Sequence, residues 1–540
     1  MIAEITYQNG KKNISILGLS AGYHDASASV VNKDGEIVFA GHAERYSRKK
    51  NDPDLNMELL AEACSYTDEP ITEIAWYEKP LLKHTRQIYS GEKSLFSMPF
   101  SPRKYLRDYV GNDFDKIPIK TYSHHKSHAA AGFQTSGFDR AICVVIDAIG
   151  EWDCFSFWLA ECDRFHMGRQ EIKYTKLDSV KYPHSLGLYY SAITKACGLK
   201  PNEEEYITMG MAAYGNPSNW NKTFSDELVD ISIHGHDFHF KSEHNFHIGM
   251  PDGIVKNAMA SEDIAAAGQY VVERVIRRVF DYAVVLATKY KTANFVYMGG
   301  VALNCVANNR IYPSILDIEL RSFYNGEKRE CDYLWIMPNP GDAGSSLGAA
   351  ALSLGKKLKW ESPFLGTDIP GEYPVANLIK ELMSTKIVGI ANGRAEFGPR
   401  ALGNRSLLAD PRGIDIKDKV NEIKRRQKFR PFAPVILEEY AEEYFEMAYG
   451  SSEYMQYVSK LKPKYYADYP AIQHVDNTAR VQTVPKDCKS GIRQLLEQWY
   501  FYSGGCPMLL NTSLNIRGEP MVNDRNDADR FEKEYGVRVL

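Results

Sequence analysis

The chain has 540 residues, 44% hydrophobic and 25% charged, which is typical of a globular protein with two or three domains. The formal net charge of −4 gives no general argument for a nucleic-acid or membrane surface and leaves room only for a local basic groove. The nine cysteines form no CxxC pair, the first residues lack a signal-peptide core, and no apolar run is long enough to span a bilayer. We therefore expect reduced thiols and a cytoplasmic enzyme.

The first predicted unit is a strand, a turn and a return strand between residues 13 and 40, with His24 and Asp25 at the tip of the first strand. The same pattern recurs between residues 141 and 160, where an apolar strand runs directly into Asp147. Such a repeat predicts a duplicated α/β domain. Between the two units lies a basic run that ends at Lys50; it either lines an anion site or forms a solvated face.

His124 and His128 precede a run of alanines that favours helix, so their imidazoles emerge one turn apart on one helical face. This is the spacing with which a helix offers two nitrogen ligands to a metal ion, although it also fits a plain surface pair. A rival metal site lies in residues 231–247, which hold five of the 14 histidines. Their alternation there predicts an edge strand of a hairpin, and no carboxylate or cysteine cluster accompanies them.

Residues 260–290 predict a long amphipathic helix. A buried strand then runs into Gly299 and Gly300, before a helix that starts near Asn304. Two glycines at such a point let the backbone approach a phosphate or adenosine, or simply form a tight turn. A further strand, 334–338, leads into a loop with Asp342 at its end.

Residues 354–375 predict a linker, after which arginines recur at the ends of apolar strands. Guanidinium groups at such loop ends are expected to converge on one anionic ligand, because their planar geometry matches the oxygens of phosphate or carboxylate. The alternative is surface solvation, the usual fate of a run such as Arg425-Arg426. The candidate cations are Arg400, Arg405, Lys424, Arg430 and Arg480.

Taken in order, these motifs resemble the O-carbamoyltransferases, the family that includes the nodulation-factor, tobramycin and cephalosporin enzymes. The resemblance covers roughly residues 14–525 and its specificity comes from the order of the motifs. The matching motifs are Gly22-Tyr-His-Asp-Ala-Ser-Ala28, His124 with His128, Ile146-Asp-Ala-Ile-Gly-Glu-Trp152, Met209-Gly-Met-Ala-Ala-Tyr-Gly215, Gly299-Gly-Val-Ala-Leu-Asn304, Gly341-Asp-Ala-Gly-Ser345, Glu396-Phe-Gly-Pro-Arg-Ala-Leu-Gly-Asn-Arg-Ser406, Phe429-Arg-Pro-Phe-Ala-Pro434 and Asn511-Thr-Ser513.

The resemblance implies an α/β protein with a large duplicated actin-like ATPase (ribonuclease-H-like) domain in residues 1–353, the linker 354–375, and a smaller α/β domain in residues 376–540. The smaller domain is similar to threonylcarbamoyl-AMP synthase. By this analogy the smaller domain makes carbamoyl-adenylate from carbamoyl phosphate and ATP, with Mg²⁺ accompanying the nucleotide. The larger domain then transfers the carbamoyl group to a hydroxyl of an acceptor.

Matching positions also implies the roles of individual residues. His124, His128, Asp147 and Asp342 would hold a divalent metal ion, Fe²⁺ by resemblance, although the ligand types do not separate Fe²⁺ from Mn²⁺ or Zn²⁺. Nucleotide binding is expected at Lys50, Gly299, Gly300 and Asn304, and carbamoyl-phosphate binding at Arg400, Lys424, Arg430, Arg480, Asn511 and Ser513. His24 or Asp25 could be the general base, while Asp25 could instead cap a turn.

The acceptor is expected to be a sugar, an antibiotic, or a hydroxylated nucleoside or base. The nucleoside or base could belong to a polynucleotide, but the acidic net charge disfavours a large nucleic acid as acceptor. Two other functions fit parts of the pattern. A tRNA threonylcarbamoyl transferase would share the larger domain, but the fused second domain with its arginines argues against it. A non-catalytic nucleotide-binding scaffold would be expected to lack the metal ligands or the arginines, and both sets are present.

Overall fold

The computed structural model describes residues 14–91, 101–164, 170–219, 229–231, 238–240, 246–250, 260–315 and 333–540. The first sheet has the strand order β3-β2-β1-β4-β5. Its strands are β1 (Ser15–Ser20), β2 (Ser27–Asn32), β3 (Ile37–His42), β4 (Ile71–Trp76) and β5 (Ile119–Thr121), and the helices of this part are α1 (Glu44–Ser47), α2 (Met57–Ser65), α3 (Pro80–Ser90), α4 (Pro102–Val110) and α5 (His124–Thr135).

The second sheet has the order β12-β11-β6-β7-β8, and a separate antiparallel pair, β9 with β10, lies apart from it. The strands are β6 (Arg140–Ile146), β7 (Asp153–Arg164), β8 (Gln170–Lys181), β9 (Val229–Ile231), β10 (Phe238–Phe240), β11 (Phe295–Met298) and β12 (Leu334–Trp335), and the helices are α6 (Leu186–Ala196), α7 (Glu205–Met211), α8 (Ser261–Lys289), α9 (Cys305–Asn308), α10 (Tyr312–Ile315) and α11 (Ser345–Leu354).

The two five-stranded sheets have the same topology. In each, three antiparallel strands follow one another along the chain, and two later strands add in parallel beyond the first of them. This repeat confirms the predicted duplication and the actin-like, ribonuclease-H-like fold of the larger part. It also brings the strand ends that precede His24 and Asp147 to equivalent places in the two halves.

Helices α5 and α11 lie between the two sheets and contribute to the core that the sheets share. They cross so closely that a Cβ on Gly348 would lie 1.8 Å from the carbonyl oxygen of Ser127. Only glycine permits this contact, because any side chain would force the helices apart. The other face of the second sheet is covered by α6 and α8. Helix α8 corresponds to the amphipathic helix predicted for residues 260–290.

The C-terminal part is built on a mixed sheet of order β14-β16-β22-β17-β21. Helices α12 and α15 cover one face of the sheet, and α13 and α16 cover the other. The strands are β13 (Phe364–Ile369), β14 (Ile387–Ala391), β15 (Gly393–Glu396), β16 (Arg405–Ala409), β17 (Ala433–Leu437), β18 (Phe445–Glu446), β19 (Ser459–Leu461), β20 (Thr478–Ala479), β21 (Gln482–Val484) and β22 (Met508–Ser513), and the helices are α12 (Val375–Thr385), α13 (Ile416–Ile423), α14 (Glu438–Tyr444), α15 (Ile492–Tyr502) and α16 (Arg525–Tyr535).

The segment predicted as a linker, 354–375, contains regular structure. Strand β13 pairs antiparallel with β15. The backbone of Lys359 forms an isolated parallel β-bridge with that of Glu36, just before β3. The proline and glycine content suggested an irregular connection, but backbone pairing with a distant strand decided the local conformation. The proposed division at residues 353 and 376 stays a prediction.

The histidine-rich stretch 231–247 lies mostly outside the described residues, including His234, His236 and His244. His239, which is described, lies in β10 opposite Asp230 of β9, as the predicted hairpin requires. Among the helices that the structure describes, none has the length and apolar character needed to cross a bilayer.

Candidate functional site

Four buried side chains converge where the two halves of the larger part meet. One ligand atom from each of His124, His128, Asp147 and Asp342 lies within 4.8 Å of the other three. His124 Nε2 is 2.9 Å from Asp147 Oδ2 and 3.1 Å from His128 Nε2, and His128 Nε2 is 3.2 Å from Asp342 Oδ1. The structure thus brings together the four residues predicted as metal ligands, which come from three distant segments.

Three local features place these ligands. The two histidines occupy the first turns of α5, Asp147 directly follows β6, and Asp342 begins a short 3₁₀ turn before α11. Ser123 at the start of α5 makes no side-chain cap. Glu151 caps the helix instead, since its Oε1 accepts the backbone N–H of His124 at 2.9 Å. Glu151 belongs to the motif at residues 146–152, but the sequence alone did not indicate that it caps a helix.

The charges of the cluster are mutually stabilised. Burial alone would raise the pKa of Asp147, but hydrogen bonds with His124 and His128 outweigh burial and hold it well below its usual range. For Asp342, burial and the like charge of Asp147 also oppose ionisation, yet His124 and His24 keep the pKa of its carboxyl lowered. Two ionised carboxylates and two imidazoles form a donor set suited to a divalent cation.

His24, which was predicted at the tip of the first strand, lies at the rim of this cluster. Its Nδ1 is 3.0 Å from Asp25 Oδ2, and its Nε2 is 3.8 Å from Asp342 Oδ2. Burial lowers the pKa of the His24 imidazole, but the charge of Asp342 and the hydrogen bond with Asp25 raise it to about 9. Asp25 therefore fixes the orientation of the ring and leaves Nε2 directed towards the cluster.

The Gly299–Gly300 turn lies against the same carboxylates. Gly299 has φ +97°, and a Cβ there would lie 2.1 Å from the carbonyl oxygen of Ile146. The backbone N–H of Gly300 donates to Asp147 Oδ1 at 3.1 Å. The turn that was predicted to bind a nucleotide therefore also orients a candidate metal ligand.

The other two residues predicted to bind nucleotide have partners within the protein. Asn304 caps α9 through the N–H of Ala307 at 3.0 Å and exchanges hydrogen bonds with Gln269. Lys50 Nζ lies 2.9 Å from both carboxylate oxygens of the buried Glu44. A contact between either residue and a nucleotide stays a prediction.

A second cluster, in the C-terminal part, consists of positive charges and is called the cationic cluster here. It contains Arg400, Lys424, Arg430 and Arg480, as predicted, together with Arg426. No described carboxylate lies within ion-pair distance of the four predicted cations. Burial and the charge of Arg480 lower the pKa of Arg400 to about 9, and Arg430 and Arg480 also act on Arg426, whose pKa burial holds well below its usual range. Partly buried cations without a carboxylate partner call for an anion.

Lys424 is fixed among oxygen atoms at the floor of the cationic cluster. Its Nζ donates to the backbone oxygen of Asn515 at 2.8 Å and to Ser513 Oγ at 3.3 Å. Burial, together with Arg426 and Arg430, holds the pKa of Lys424 well below its usual range. Asn511 donates to Gln482 Oε1 at 2.7 Å, and among the described residues nothing donates to its own Oδ1.

Two residues near the cationic cluster have roles that the sequence did not reveal. Glu396 Oε1 accepts the backbone N–H groups of Leu402, Asn404 and Arg405 at 2.8, 3.0 and 3.1 Å, so it folds the loop that carries Arg400. Arg405 was grouped with the anion-binding arginines, which is wrong. It is fully buried and donates to backbone oxygens such as those of Asn523 and Thr367, away from the cluster.

The larger part contacts the cationic cluster at two places. Arg400 Nη2 donates to the carbonyl oxygen of Leu303 at 3.3 Å, in the turn that follows Gly300. The ring of Tyr206 lies 4.8 Å from the guanidinium of Arg430, and Tyr214 OH donates to the carbonyl of Phe429 at 3.0 Å. The two clusters therefore belong to one continuous region of the molecule.

Two stretches of the chain match known protein families. Residues 105–351 match the family described as carbamoyltransferase N-terminus, and residues 379–540 match carbamoyltransferase C-terminus. An uncharacterized protein of Synechocystis is 32% identical, over 95% of this chain and 93% of that protein. The nodulation protein NolNO of Sinorhizobium fredii is 30% identical, over 94% of this chain and 76% of that protein. Among solved structures, the activator of the 2-hydroxyisocaproyl-CoA dehydratase of Clostridium difficile is 13% identical, with a TM-score of 0.30, over 63% of this chain and 94% of that one.

Proposed function

The chain belongs to the carbamoyltransferase family and is a carbamoyl-transferring enzyme, and from this premise we propose that it is an ATP-dependent O-carbamoyltransferase. Carbamoyl phosphate and ATP are the donors, carbamoyl-adenylate is the intermediate, and a hydroxyl group of an acceptor receives the carbamoyl group. The cationic cluster would bind the phosphates of the first step, and the four-ligand cluster beside His24 would serve the second.

The reaction balances with one water. Water cleaves carbamoyl phosphate into carbamate and phosphate, and a carbamate oxygen then attacks the α-phosphorus of ATP, so that pyrophosphate leaves. In the second step the acceptor oxygen attacks the carbamoyl carbon, the bond from that carbon to the AMP oxygen breaks, and the acceptor proton passes to a base. The products are the carbamate ester, AMP, pyrophosphate and phosphate.

The observation that carries the proposal is the cationic cluster. Arg400, Arg430 and Arg480 are half-buried and have no described carboxylate in ion-pair distance. Burial of uncompensated positive charge is costly, and a phosphate-bearing ligand with its several negative oxygens would offset it. The contact of Arg400 with the carbonyl of Leu303 supports passage of the intermediate towards the Gly299–Gly300 turn.

The donor set at the other cluster fits a divalent metal ion. His124, His128, Asp147 and Asp342 are buried, and their facing nitrogen and oxygen atoms have the ligand chemistry of Fe²⁺, Mn²⁺ or Zn²⁺. We propose Fe²⁺ first, on the resemblance stated above. A bound ion would supply Lewis acidity towards ligand oxygens. The backbone N–H of Gly300 would hold Asp147 in its orientation.

His24 is proposed as the base that accepts the proton of the acceptor hydroxyl, in the neutral form that a divalent ion held by Asp342 would favour, since the ion would offset the negative charge that raises the pKa of His24. Its Nδ1 is held by Asp25, which leaves Nε2 facing the cluster. Asp25 would then act as a positioning residue that selects the tautomer of His24.

The test is AMP and pyrophosphate formation from ATP, Mg²⁺ and carbamoyl phosphate, without and with acceptor candidates. We expect AMP formation to depend on carbamoyl phosphate. We expect Arg480→Gln to lower the rate of AMP formation about 100-fold, since one charge-assisted contact to a phosphate is lost. Lys428→Gln is the control, because Lys428 is an exposed cation two residues before Arg430 and pairs with Glu422 at 3.5 Å.

Each outcome of this test is informative. AMP formation that never requires carbamoyl phosphate would contradict the proposal. AMP formation that requires threonine and bicarbonate instead would favour a threonylcarbamoyl-type reaction. Mass spectrometry of the acceptor should reveal a product heavier by one carbamoyl group.

A further inference from the structure

Helix α7 of the larger part is attached to the C-terminal part on both sides of Tyr206. Before the helix, Glu204 Oε1 accepts from Arg517 Nη2 at 2.7 Å. After the helix, the hydroxyl of Tyr214 donates to the carbonyl oxygen of Phe429 at 3.0 Å, and the two rings lie edge to face with their centroids 5.6 Å apart. Tyr206 is therefore held against the cationic cluster by contacts that do not involve its own side chain.

The side chain of Tyr206 lies among the guanidinium groups of the cationic cluster. Its ring is centred 4.8 Å from the guanidinium carbon of Arg430. Burial lowers the pKa of Arg430, and the Tyr206 hydroxyl partly offsets that effect. Burial and the charge of Arg480 lower the pKa of Arg400, and Tyr206 opposes them there as well. One hydroxyl group of the larger part thus lies within electrostatic reach of two cations of the C-terminal part.

The polar groups around Tyr206 are hydrogen-bond donors that lack acceptors. Arg480 Nε is buried, and no described residue accepts a hydrogen bond from it. A guanidinium can only donate, so the Tyr206 oxygen can accept from Arg430, but the Tyr206 O–H cannot be satisfied by an arginine. Among the described residues none accepts that O–H. Donors that converge in this way, beside positive charge, require an anion with several oxygen atoms.

The same groups are accessible from solvent. Tyr206 is 38% exposed, and the side chains of Arg400, Arg430 and Arg480 are only partly buried. An anion can therefore reach them. A purely structural role for Tyr206, as a ring stacked on Arg430, would need the aromatic face alone and not the hydroxyl. The hydroxyl is the feature that separates a ligand-binding role from a packing role.

We propose that Tyr206 is a ligand of the phosphate group bound in the cationic cluster, an inference that rests on the proposed function. The larger part then contributes a side chain to a site otherwise built by the C-terminal part. The phenol O–H donates to one phosphate oxygen, and the guanidinium groups of Arg430 and Arg480 pair with the others. A hydroxyl adds a directed hydrogen bond without adding to the repulsion among the arginines. The phosphate belongs to carbamoyl phosphate or to ATP.

The experiment compares Tyr206→Phe with the wild type by the rate of pyrophosphate formation, with carbamoyl phosphate and ATP varied in turn. Tyr206→Phe keeps the ring beside Arg430 and removes only the hydroxyl. We expect the KM of one co-substrate to rise about tenfold and kcat to stay unchanged, because a contact made equally before and during reaction is lost. The co-substrate whose KM rises is the one that Tyr206 contacts.

Tyr214→Phe is the matched control, because its hydroxyl lies at the same contact between the two parts but is bonded to a backbone carbonyl. We expect its KM values to stay within about twofold of the wild type. Unchanged KM values in Tyr206→Phe, or equal increases in both variants, would overturn the assignment.

Failure of the inference can be distinguished from failure of the proposed function. If the wild type forms no pyrophosphate from ATP and carbamoyl phosphate, the proposed function fails, and calorimetric titration of the full chain with inorganic phosphate and pyrophosphate still decides the inference. Binding about tenfold weaker in Tyr206→Phe than in the wild type supports it. Equal affinities of the two proteins, or no binding to the wild type, contradict it.

Discussion

Glu151 Oε1 accepts the backbone N–H of His124 and the backbone N–H of Lys79, each at 2.9 Å. A single buried carboxylate therefore ties the turn after β6 to the first turn of α5 and to the segment that follows β4. These three segments surround the candidate metal ligands, so Glu151 determines how the two imidazoles face Asp147.

Replacing Glu151 by alanine should weaken both the fold and the metal site. We expect the free energy of unfolding to fall by about 1–2 kcal/mol, as for loss of a helix cap, and metal affinity to fall about tenfold, as for loss of an outer-shell partner. Chemical denaturation and calorimetric titration with Mn²⁺ measure the two effects. Glu151→Gln, which keeps an acceptor oxygen, should lie close to the wild type; an equal loss in both variants would contradict the capping role.

Removal of the metal ion should separate the two proposed steps. Treatment with a chelator, or Asp342→Asn, should abolish transfer to the acceptor and leave carbamoyl-phosphate-dependent pyrophosphate formation intact, because the four ligands lie outside the cationic cluster. Elemental analysis should find one ion per wild-type chain, and Asp342→Asn should bind about 100-fold more weakly. Transfer that persists in metal-free protein would refute this assignment.

Glu396 should control carbamoyl-phosphate binding through the loop that carries Arg400. Glu396→Ala removes the acceptor of three buried N–H groups, and we expect a loss of about 3 kcal/mol in unfolding free energy and a rise in KM for carbamoyl phosphate. Glu396→Gln keeps an oxygen for the same groups and should restore most of the stability. Steady-state kinetics together with urea denaturation test this pair, and an unchanged KM in a folded Glu396→Ala protein would argue against the role.

His42 should make the protein less stable as the pH falls. Burial and the charge of Arg45 lower the pKa of its imidazole to about 4, and Asn339 Nδ2 lies 3.2 Å from His42 Nε2, consistent with a neutral ring. The unfolded chain binds the proton near pH 6.5 and the folded chain does not, so stability is lost as the pH falls from about 6.5 towards 4, by up to about 3 kcal/mol.

The variant His42→Gln isolates this contribution, because its amide oxygen can accept from Asn339 without titrating. Urea unfolding of both proteins between pH 7.5 and 4.5 should show that the wild type loses more stability than the variant. Parallel curves would mean that His42 does not titrate as inferred.

Much of the fold followed from local patterns. The 3.6-residue period of residues 261–289 and the alanine run after His128 predicted α8 and α5, and the repeated strand–turn–strand pattern predicted the two similar sheets. The four-ligand cluster was predicted from the family resemblance, which grouped His124, His128, Asp147 and Asp342 as one set, and the positions of the two aspartates after strands agreed with it.

Other features depended on contacts between distant segments, which no local pattern encodes. Strand β13 forms only because β15 pairs with it, in a stretch that reads as an irregular connection. Arg405 and Arg400 look alike in sequence, yet one is buried among carbonyl groups and the other faces Leu303. Lys50 likewise reads as an exposed base, although Glu44 is its partner.

The contact of Gly348 with the carbonyl of Ser127 has a consequence for how enzymes of this type diversify. The helix that carries His124 and His128 and the helix that follows the turn of Asp342 touch through their main chains, so the crossing itself does not depend on the size of a side chain. Substitutions in outer helices such as α3 leave this crossing of the two helices in place. The backbone frame that carries the ion-binding residues can thus be inherited while the outer helices change.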